Sequence, residues 1–418
     1  MHPFTIAFLA ALAIATATRI WLASRHIRHV TANRHAVPAG FAASVALAAH
    51  QKAADYTAAK TRLGIVDALL SAAVLLAFTL AGGLQQLFDL WARVFDPAGY
   101  AHGIALILSV VTITGAIDLP LAIYRTFVIE ARFGFNRMTP VLFIADLGKS
   151  IALGLAIGVP LMLAVLWLMA QMGNLWWLYV WLTWIGFNLI MLVAYPTLIA
   201  PLFNRFTPLE DLALKDRIER LLVKCGFRSK GLFVMDGSRR SSHGNAYFTG
   251  FGAAKRIVFF DTLLSRLGPG EVEAVLAHEL GHFKRHHVWK RIAWLFLASL
   301  AFLAALGYVI DQPWFYDALG VARRSTAVAL LLFFMVVPVF TFLLQPIGSR
   351  YSRRHEYEAD AYAADHADAQ ELVRALVKLY QDNAATLTPD PVHSAFYDSH
   401  PPAALRIARL QELSRAAG

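Results

Sequence analysis

One short segment, residues 278–282 (HELGH), has the residue types and spacing of a metal-dependent hydrolase. Its histidines, His278 and His282, are four residues apart, so on a helix they lie on one face and can bind the same ion. Glu279 would lie beside that ion, where it could take a proton from the attacking water and deliver one to the leaving amine. Zinc suits such a pair because it accepts nitrogen and oxygen ligands and keeps a position open for water. The segment therefore predicts a zinc peptidase with one Zn²⁺ per chain.

A catalytic zinc site of this kind needs a third protein ligand. The metzincin pattern would place it after a glycine turn, but Arg285 and Val288 occupy the two positions that this pattern requires. His286 would lie about 12 Å along the helix axis from His278 at 1.5 Å per residue, too far for both to join one ion. We therefore expect His286 and His287 to face solvent or the membrane boundary.

The remaining candidates lie in the helical segment 353–360. Glu356 and Asp360 are four residues apart on one helix face, so Glu356 could bind the metal while Asp360 holds a ligand in place. Glu358 and His355 lie on other faces of this helix and remain alternatives for the third ligand.

The elements that must position these residues are strongly apolar. Hydrophobic residues make up 58% of the 418-residue chain and charged residues only 16%, which indicates a polytopic membrane protein. Seven stretches have about the 20 residues that cross a hydrocarbon core of about 30 Å as a helix. They cover residues 4–24, 65–86, 103–125, 150–172, 175–199, 289–310 and 326–347. Asp118 and Asn188 lie within spans and should face a chamber or another helix, because their exposure to lipid is costly.

Lysine and arginine alternate between the predicted loops. The loops after the first, third and fifth spans and the C-terminal tail are basic, whereas the other loops carry few cations or none. The positive-inside rule then places the N-terminus outside and the C-terminus inside. The net charge of +10 follows this topology without a nucleic-acid-binding motif, so we expect no nucleic-acid partner. Cys225 is the only cysteine, which excludes an intrachain disulfide and a multi-cysteine metal site.

The chain divides into four expected parts. They are residues 1–199 with the first five spans, 200–288 with the catalytic domain, 289–347 with the last two spans, and the C-terminal segment 348–418 with the third ligand.

The catalytic domain is expected to combine helices with a short β-sheet. Residues 212–224 have helical spacing, and short strands are predicted over 231–235, 245–249 and 256–260. Pro269 and the acidic residues after it favour the start of the helix that carries HELGH.

Several uncommon motifs occur in order along nearly the whole chain. Besides HELGH they are 52–57 (KAADYT), 133–137 (FGFNR), 200–204 (APLFN), 245–250 (NAYFTG), 356–360 (EYEAD) and 399–401 (SHP). With these motifs the chain resembles the type I CAAX prenyl proteases. The resemblance implies an all-α polytopic membrane protein whose seven transmembrane helices enclose a water-filled chamber. At its cytoplasmic end it implies a small α+β zinc metalloprotease domain.

The resemblance also implies roles for individual residues. It implies His278, His282 and Glu356 as zinc ligands and Glu279 as the catalytic base. A further implied residue is His400, which would help to stabilise the tetrahedral oxyanion, a role that a histidine donor can fill.

Substrate binding is implied for the strand segment Asn245, Ala246 and Tyr247, which would pair with the substrate backbone. An edge strand suits this role because backbone pairing tolerates many sequences.

The expected partners are a peptide or protein substrate and the lipid bilayer, and we expect a monomer. Family members from eukaryotes cleave farnesylated proteins that end in a CAAX box, but the sequence leaves open whether this substrate is prenylated. The alanine-rich composition favours a bacterial inner membrane with the site towards the cytoplasm; a eukaryotic host would place it in the endoplasmic reticulum membrane.

Two alternatives remain. A quality-control metalloprotease of the heat-shock type shares the zinc helix but has fewer spans. A scaffold or transporter with a structural zinc site would need the ligands but not Glu279.

Overall fold

The computed structural model describes residues 1–229, 231–244, 246–249 and 256–417, and most of them are helical. The first six helices are α1 (Pro3–Ala32), α2 (Leu47–Phe78), α3 (Gly83–Trp91), α4 (Tyr100–Tyr124), α5 (Pro140–Gln171) and α6 (Trp176–Ala194). The next six are α7 (Ala200–Phe203), α8 (Leu212–Lys224), α9 (Asp261–Leu264), α10 (Pro269–Lys284), α11 (His287–Val309) and α12 (Pro313–Asp317). The last five are α13 (Thr326–Thr341), α14 (Gln345–His366), α15 (Ala369–Asp382), α16 (Pro391–Tyr397) and α17 (Ala403–Ala417).

Seven helical segments in the described part of the chain are long and apolar enough to cross a membrane. They are Pro3–Ala32, Leu47–Phe78, Tyr100–Glu130, Pro140–Gln171, Gly173–Phe203, His287–Val309 and Thr326–His366. The seven predicted spans are thereby confirmed. Several helices are longer than the spans, and α2 begins at Leu47 rather than near residue 65, because hydropathy marks only the apolar part of a helix.

Cavities lie between the membrane-spanning helices. One of about 750 Å³ lies between α4, α5, α6, α11 and α13, and its wall is apolar except for residues such as Asn188 and Ser299. A second, of about 330 Å³, lies between α1, α2, α4 and α13 and is lined in part by Arg19, Asp67 and Asp118. Asn188 and Asp118 therefore line spaces between helices, as the cost of exposing polar groups to lipid predicts.

Four strands form one sheet in the described residues. They are β1 (Phe206–Pro208), β2 (Leu232–Met235), β3 (Ala246–Thr249) and β4 (Arg256–Phe260), in the order β1-β2-β4-β3. The central strands β2 and β4 are parallel, whereas β1 and β3 run antiparallel to their neighbours. The predicted helix over 212–224 is confirmed as α8, and the three predicted strands are confirmed as β2, β3 and β4. The sequence does not predict β1, which has only three residues and includes a proline.

The catalytic domain and the C-terminal segment share one hydrophobic core. Ile218 of α8, Phe259 of β4 and Leu280 of α10 are fully buried in it. Leu372 of α15 and Leu410 of α17 pack into the same cluster. The two polar segments of the sequence thus form a single packed unit around α10.

Polar contacts join this unit to the membrane helices. The Tyr56 hydroxyl on α2 donates to the Glu130 carboxylate at 2.6 Å, and His243 Nε2 lies 3.5 Å from the other Glu130 oxygen. On the opposite side of its ring, His243 Nδ1 lies 3.0 Å from the Asn383 side-chain oxygen. The end of the third span is therefore tied to the loop that leads into β3.

The α10 and α14 helices cross very closely at Gly281. A Cβ added there would lie 3.0 Å from the Cα of Ala359 and 3.0 Å from the Cβ of Tyr362. Only glycine allows this approach, so the third position between the HELGH histidines is fixed by helix packing.

We predict that Gly281→Ala lowers the free energy of unfolding by about 1–3 kcal/mol, because the methyl group pushes α10 and α14 apart. Gly154→Ala in α5 is the matched control, since an added Cβ there meets nothing within 4 Å. Both variants gain the same helix propensity. Thermal unfolding of the detergent-solubilised chain measures the difference, and equal midpoints for the two variants would contradict the packing argument.

Candidate active site

The site is built where α10 and α14 cross. Pro269 occupies the first turn of α10, and the Glu271 carboxylate accepts the backbone N–H of Gly268, which fixes the start of the helix. From this helix His278 and His282 project towards α14.

Three donor atoms meet between the two helices. His278 Nε2 lies 3.3 Å from His282 Nε2 and 3.4 Å from Glu356 Oε2. His282 Nε2 lies 3.4 Å from Glu356 Oε1. These three residues are the group in the described chain whose side chains could hold a metal ion. Glu358 and His355, the alternatives that the sequence leaves open, point elsewhere.

The geometry of these donors fits zinc. Ligands on a tetrahedral zinc ion with bonds of about 2.0–2.1 Å are about 3.3–3.4 Å apart, which matches the three observed separations. Glu356 is buried, and its Oε2 has no hydrogen-bond partner among the described residues. A buried carboxylate oxygen without such a partner is costly unless a cation offsets its charge.

The first histidine is held from behind by a buried ion pair. His278 Nδ1 lies 2.9 Å from Asp360 Oδ1, and Arg406 donates to both Asp360 oxygens at 2.6 and 2.8 Å. Burial lowers the pKa of His278, but the contact with Asp360 and the nearby Glu356 carboxylate outweigh it and raise the pKa to about 9. The carboxylates thus favour positive charge at this position, and Asp360 lies where the sequence predicts it.

The second histidine has a different environment. Burial, followed by repulsion from His278, lowers the pKa of His282 to about 3, so its imidazole is neutral, as a metal ligand must be. Its Nδ1 lies 3.0 Å from Nδ1 of His287.

The expectation that His287 faces solvent or the membrane boundary is wrong. Its side chain is 2% exposed, whereas the neighbouring His286 is exposed. The expectation assumes a continuous helix, but α10 ends at Lys284 and α11 begins at His287. His286 connects them with a left-handed φ of 57°, which turns His287 back towards His282.

Glu279 lies beside the donors in a partly exposed position. Burial is the main cause that raises the pKa of its carboxyl, and the neighbouring Glu356 raises it further, while His278 lowers it. A carboxylate whose pKa is moved towards neutrality can both accept and return a proton.

His400 lies at the rim of the site. Its side chain is 61% exposed, and its Nε2 lies 3.4 Å from Glu356 Oε1. Its Nδ1 lies 3.0 Å from the Ser399 hydroxyl, which orients the ring. The structure therefore brings His400 to the same carboxylate as the two HELGH histidines.

The predicted substrate-binding residues are only partly described. Asn245 lies outside the described residues. Ala246 and Tyr247 pair with Phe259 and Val258 of β4, and β3 is the last strand in the sheet order.

Sequence reasoning missed Arg406. The buried positions of α17 include Ala403, Ile407 and Leu410, and Arg406 lies on the same face. An arginine in an apolar stripe is a signal of a buried partner. That signal is visible in the sequence, but the partner, Asp360, is not.

Comparisons with known proteins identify the family of this chain. The CAAX prenyl protease N-terminal family, with five membrane helices, matches residues 26–205, and peptidase family M48 matches residues 208–414. A CAAX prenyl protease 1 homolog of Oryza sativa subsp. japonica is 38% identical over 74% of this chain and 73% of that protein. CAAX prenyl protease 1 of Saccharomyces cerevisiae is 37% identical over 71% of this chain and 69% of its own. The crystal structure of S. mikatae Ste24p superposes with a TM-score of 0.90 at 30% identity, over 98% of this chain and 99% of that one.

A multi-pass bundle that carries two histidines and a glutamate at a helix crossing defines an integral membrane metalloprotease. The chain belongs to the CAAX prenyl protease 1 family of M48 peptidases. These matches support neither the heat-shock type nor the non-catalytic alternative.

We predict that Arg406→Met costs about 3–5 kcal/mol of stability, because it leaves the Asp360 charge buried without its partner. Arg409→Met is the control: Arg409 is exposed on the same helix and stacks over Tyr357, a contact worth about 1 kcal/mol or less. Thermal unfolding in detergent compares the two. Similar midpoints would mean that the buried pair does not stabilise the site.

Proposed function

We propose that this chain is a zinc metalloendopeptidase in which His278, His282 and Glu356 bind one zinc ion. The tetrahedral spacing of their donor atoms beside Glu279 is the observation that carries the proposal. Two imidazoles and one carboxylate leave one coordination position open, which is the pattern of catalytic rather than structural zinc sites.

Local charge supports a divalent cation. With the His278 imidazole neutral, as a metal ligand requires, the carboxylates of Glu279, Glu356 and Asp360 outnumber the buried guanidinium of Arg406, which forms ion pairs with two of them. A divalent cation would offset the remaining negative charge, which is expensive to bury alone.

The residues around the donors suit peptide hydrolysis. When bound, zinc lowers the pKa of a water molecule and polarises the peptide carbonyl. Glu279 accepts the proton of the attacking water and passes it to the leaving amine, which its raised pKa favours. His400, oriented by Ser399, donates a hydrogen bond to the carbonyl oxygen as negative charge develops on it.

The substrate chain would lie along β3. Asn245, Ala246 and Tyr247 would then bind its backbone, since addition of an extended peptide to the outer strand of a sheet tolerates many sequences. The position of β3 at the end of the sheet order supports this role.

The substrate class that we propose is a peptide with a prenylated C-terminal CAAX box. The relatives named CAAX prenyl protease 1 support it. So does the apolar cavity of about 750 Å³, whose wall includes Ile292 and Leu295 on α11. Ile292 lies about 8 Å along α11 from His287, which contacts His282 of the proposed zinc site. An isoprenoid chain in this cavity could therefore lie near the scissile bond.

We place the enzyme as a monomer in a bacterial inner membrane, with the site towards the cytoplasm. The alternation of basic and uncharged loops supports this orientation. Reporter fusions to each terminus test it, and light scattering of the solubilised protein tests the monomer.

The central test separates zinc binding from catalysis. Glu279→Gln should keep one zinc per chain and lose about 10²–10⁴ in kcat, because only the proton carrier is removed. Glu356→Gln should bind less zinc than the wild type. His400→Ala should keep its zinc but have a lower kcat. Zinc content and peptide cleavage are measured together, with Glu273→Gln on the same helix as the control, since Glu273 pairs with Arg217. Wild-type cleavage by zinc-loaded Glu279→Gln would refute the assigned base.

A second test addresses prenylation. A farnesylated CAAX peptide should show a higher kcat/KM than the same peptide without the lipid, because burial of the chain contributes about 0.8 kcal/mol per CH₂ group. Trp184 lines the apolar cavity, so Trp184→Glu should reduce the advantage of the lipid and spare cleavage of the unmodified peptide. Equal kcat/KM for both peptides in the wild type would argue against a prenylated substrate.

A further inference from the structure

The two zinc-facing histidines are supported in different ways. His278 contacts a carboxylate directly, with Nδ1 2.9 Å from Asp360. His282 contacts a third histidine instead, with its Nδ1 3.0 Å from Nδ1 of His287. The far nitrogen of His287, Nε2, lies 3.0 Å from the Glu358 carboxylate. The imidazole of His287 thus lies between His282 and the carboxylate of Glu358.

We propose that His287 and Glu358 are positioning residues that hold His282 in the tautomer needed to bind zinc. This inference rests on the zinc site proposed above. The contacts of the pair then define which nitrogen of each ring carries its proton. With Nε2 of His282 free for the metal, its Nδ1–H donates to Nδ1 of His287. His287 must then carry its proton on Nε2, where it donates to Glu358. Each of the four ring nitrogens is then a donor, an acceptor or a free ligand atom.

The surroundings of His287 hold it in this orientation. Its ring stacks on that of His355 at 4.0 Å with an interplanar angle of 9°. Tyr351 contacts the other ring of this stack edge-on at 4.2 Å. Glu358 is fixed in turn by Arg354, whose Nε donates to Oε1 at 3.0 Å. A buried, stacked ring with both nitrogens engaged cannot rotate without breaking contacts on two sides.

Metal-ligating histidines generally donate their second N–H to a fixed acceptor, and loss of that acceptor weakens metal binding about 10–100-fold. His287 supplies the acceptor for His282, and Glu358 keeps the proton of His287 on the far nitrogen. Without His287, the His282 ring is free to rotate or to change tautomer, which places a proton where the metal must bind.

The experiment measures zinc affinity of the full-length solubilised chain by competition with a chelator. His287→Leu should weaken zinc binding about 10–100-fold. His287→Gln should recover part of this loss, because its side-chain oxygen can accept from Nδ1–H of His282. His355→Phe is the control, since it keeps a ring stacked on His287 but takes no part in the hydrogen-bonded chain. Unchanged affinity in His287→Leu, or a His355→Phe loss as large, would overturn the proposal.

A double-mutant cycle tests whether Glu358 acts through His287. Glu358→Leu alone should weaken zinc binding, because it removes the acceptor of the His287 Nε2–H, but should add little in the His287→Leu background. Fully additive losses would show that Glu358 acts independently of His287 and would overturn the proposed hydrogen-bonded series from Glu358 through His287 to His282. If His287→Leu does not fold, the same cycle is run on His287→Gln. A wild-type protein that binds no zinc would refute the zinc site itself, whereas wild-type binding with an unaffected His287→Leu refutes only this inference.

Discussion

The close crossing of α10 and α14 is the constraint on which the rest of the site depends. At Gly281 the two backbones approach so closely that no side chain fits between them. His278, about one turn before Gly281, and His282, directly after it, meet Glu356 from α14. Because α11 and α13 intervene in sequence, the donors can meet only after two membrane crossings have packed. Assembly of the donor set therefore requires the helices between its two parts to be packed.

Burial of charge explains why the C-terminal segment is part of the catalytic unit. Asp360 is 1% exposed, and a carboxylate buried that deeply needs a partner. Arg406 supplies it from α17, whose apolar face packs with α10 and α15 in the shared core. The helix that follows His400 thus stabilises the residues behind the first histidine, while His400 itself stays exposed at the rim.

Contacts at the membrane boundary link this unit to the bundle at several places. Arg240 donates to both oxygens of Asp146 on α5 and to the Asn204 side chain. Arg25 on α1 pairs with the buried Asp390 at the start of α16. With the contacts of His243 described above, they fix the catalytic unit relative to the cavities between the helices.

The helical face shared by His278 and His282, the seven spans and most strands could be predicted from the sequence, because four-residue spacing, hydropathy and alternation are local properties of the chain. It placed Glu356 and Asp360 on one helix face but left Glu358 and His355 open, since the choice depends on how α14 rotates against α10. The packing of the folded chain brings Glu356, rather than Glu358 or His355, to the two histidines and buries His287. The reason is physical: a break after Lys284 and the packing of distant helices set these contacts, and neither leaves a periodic signal in the sequence.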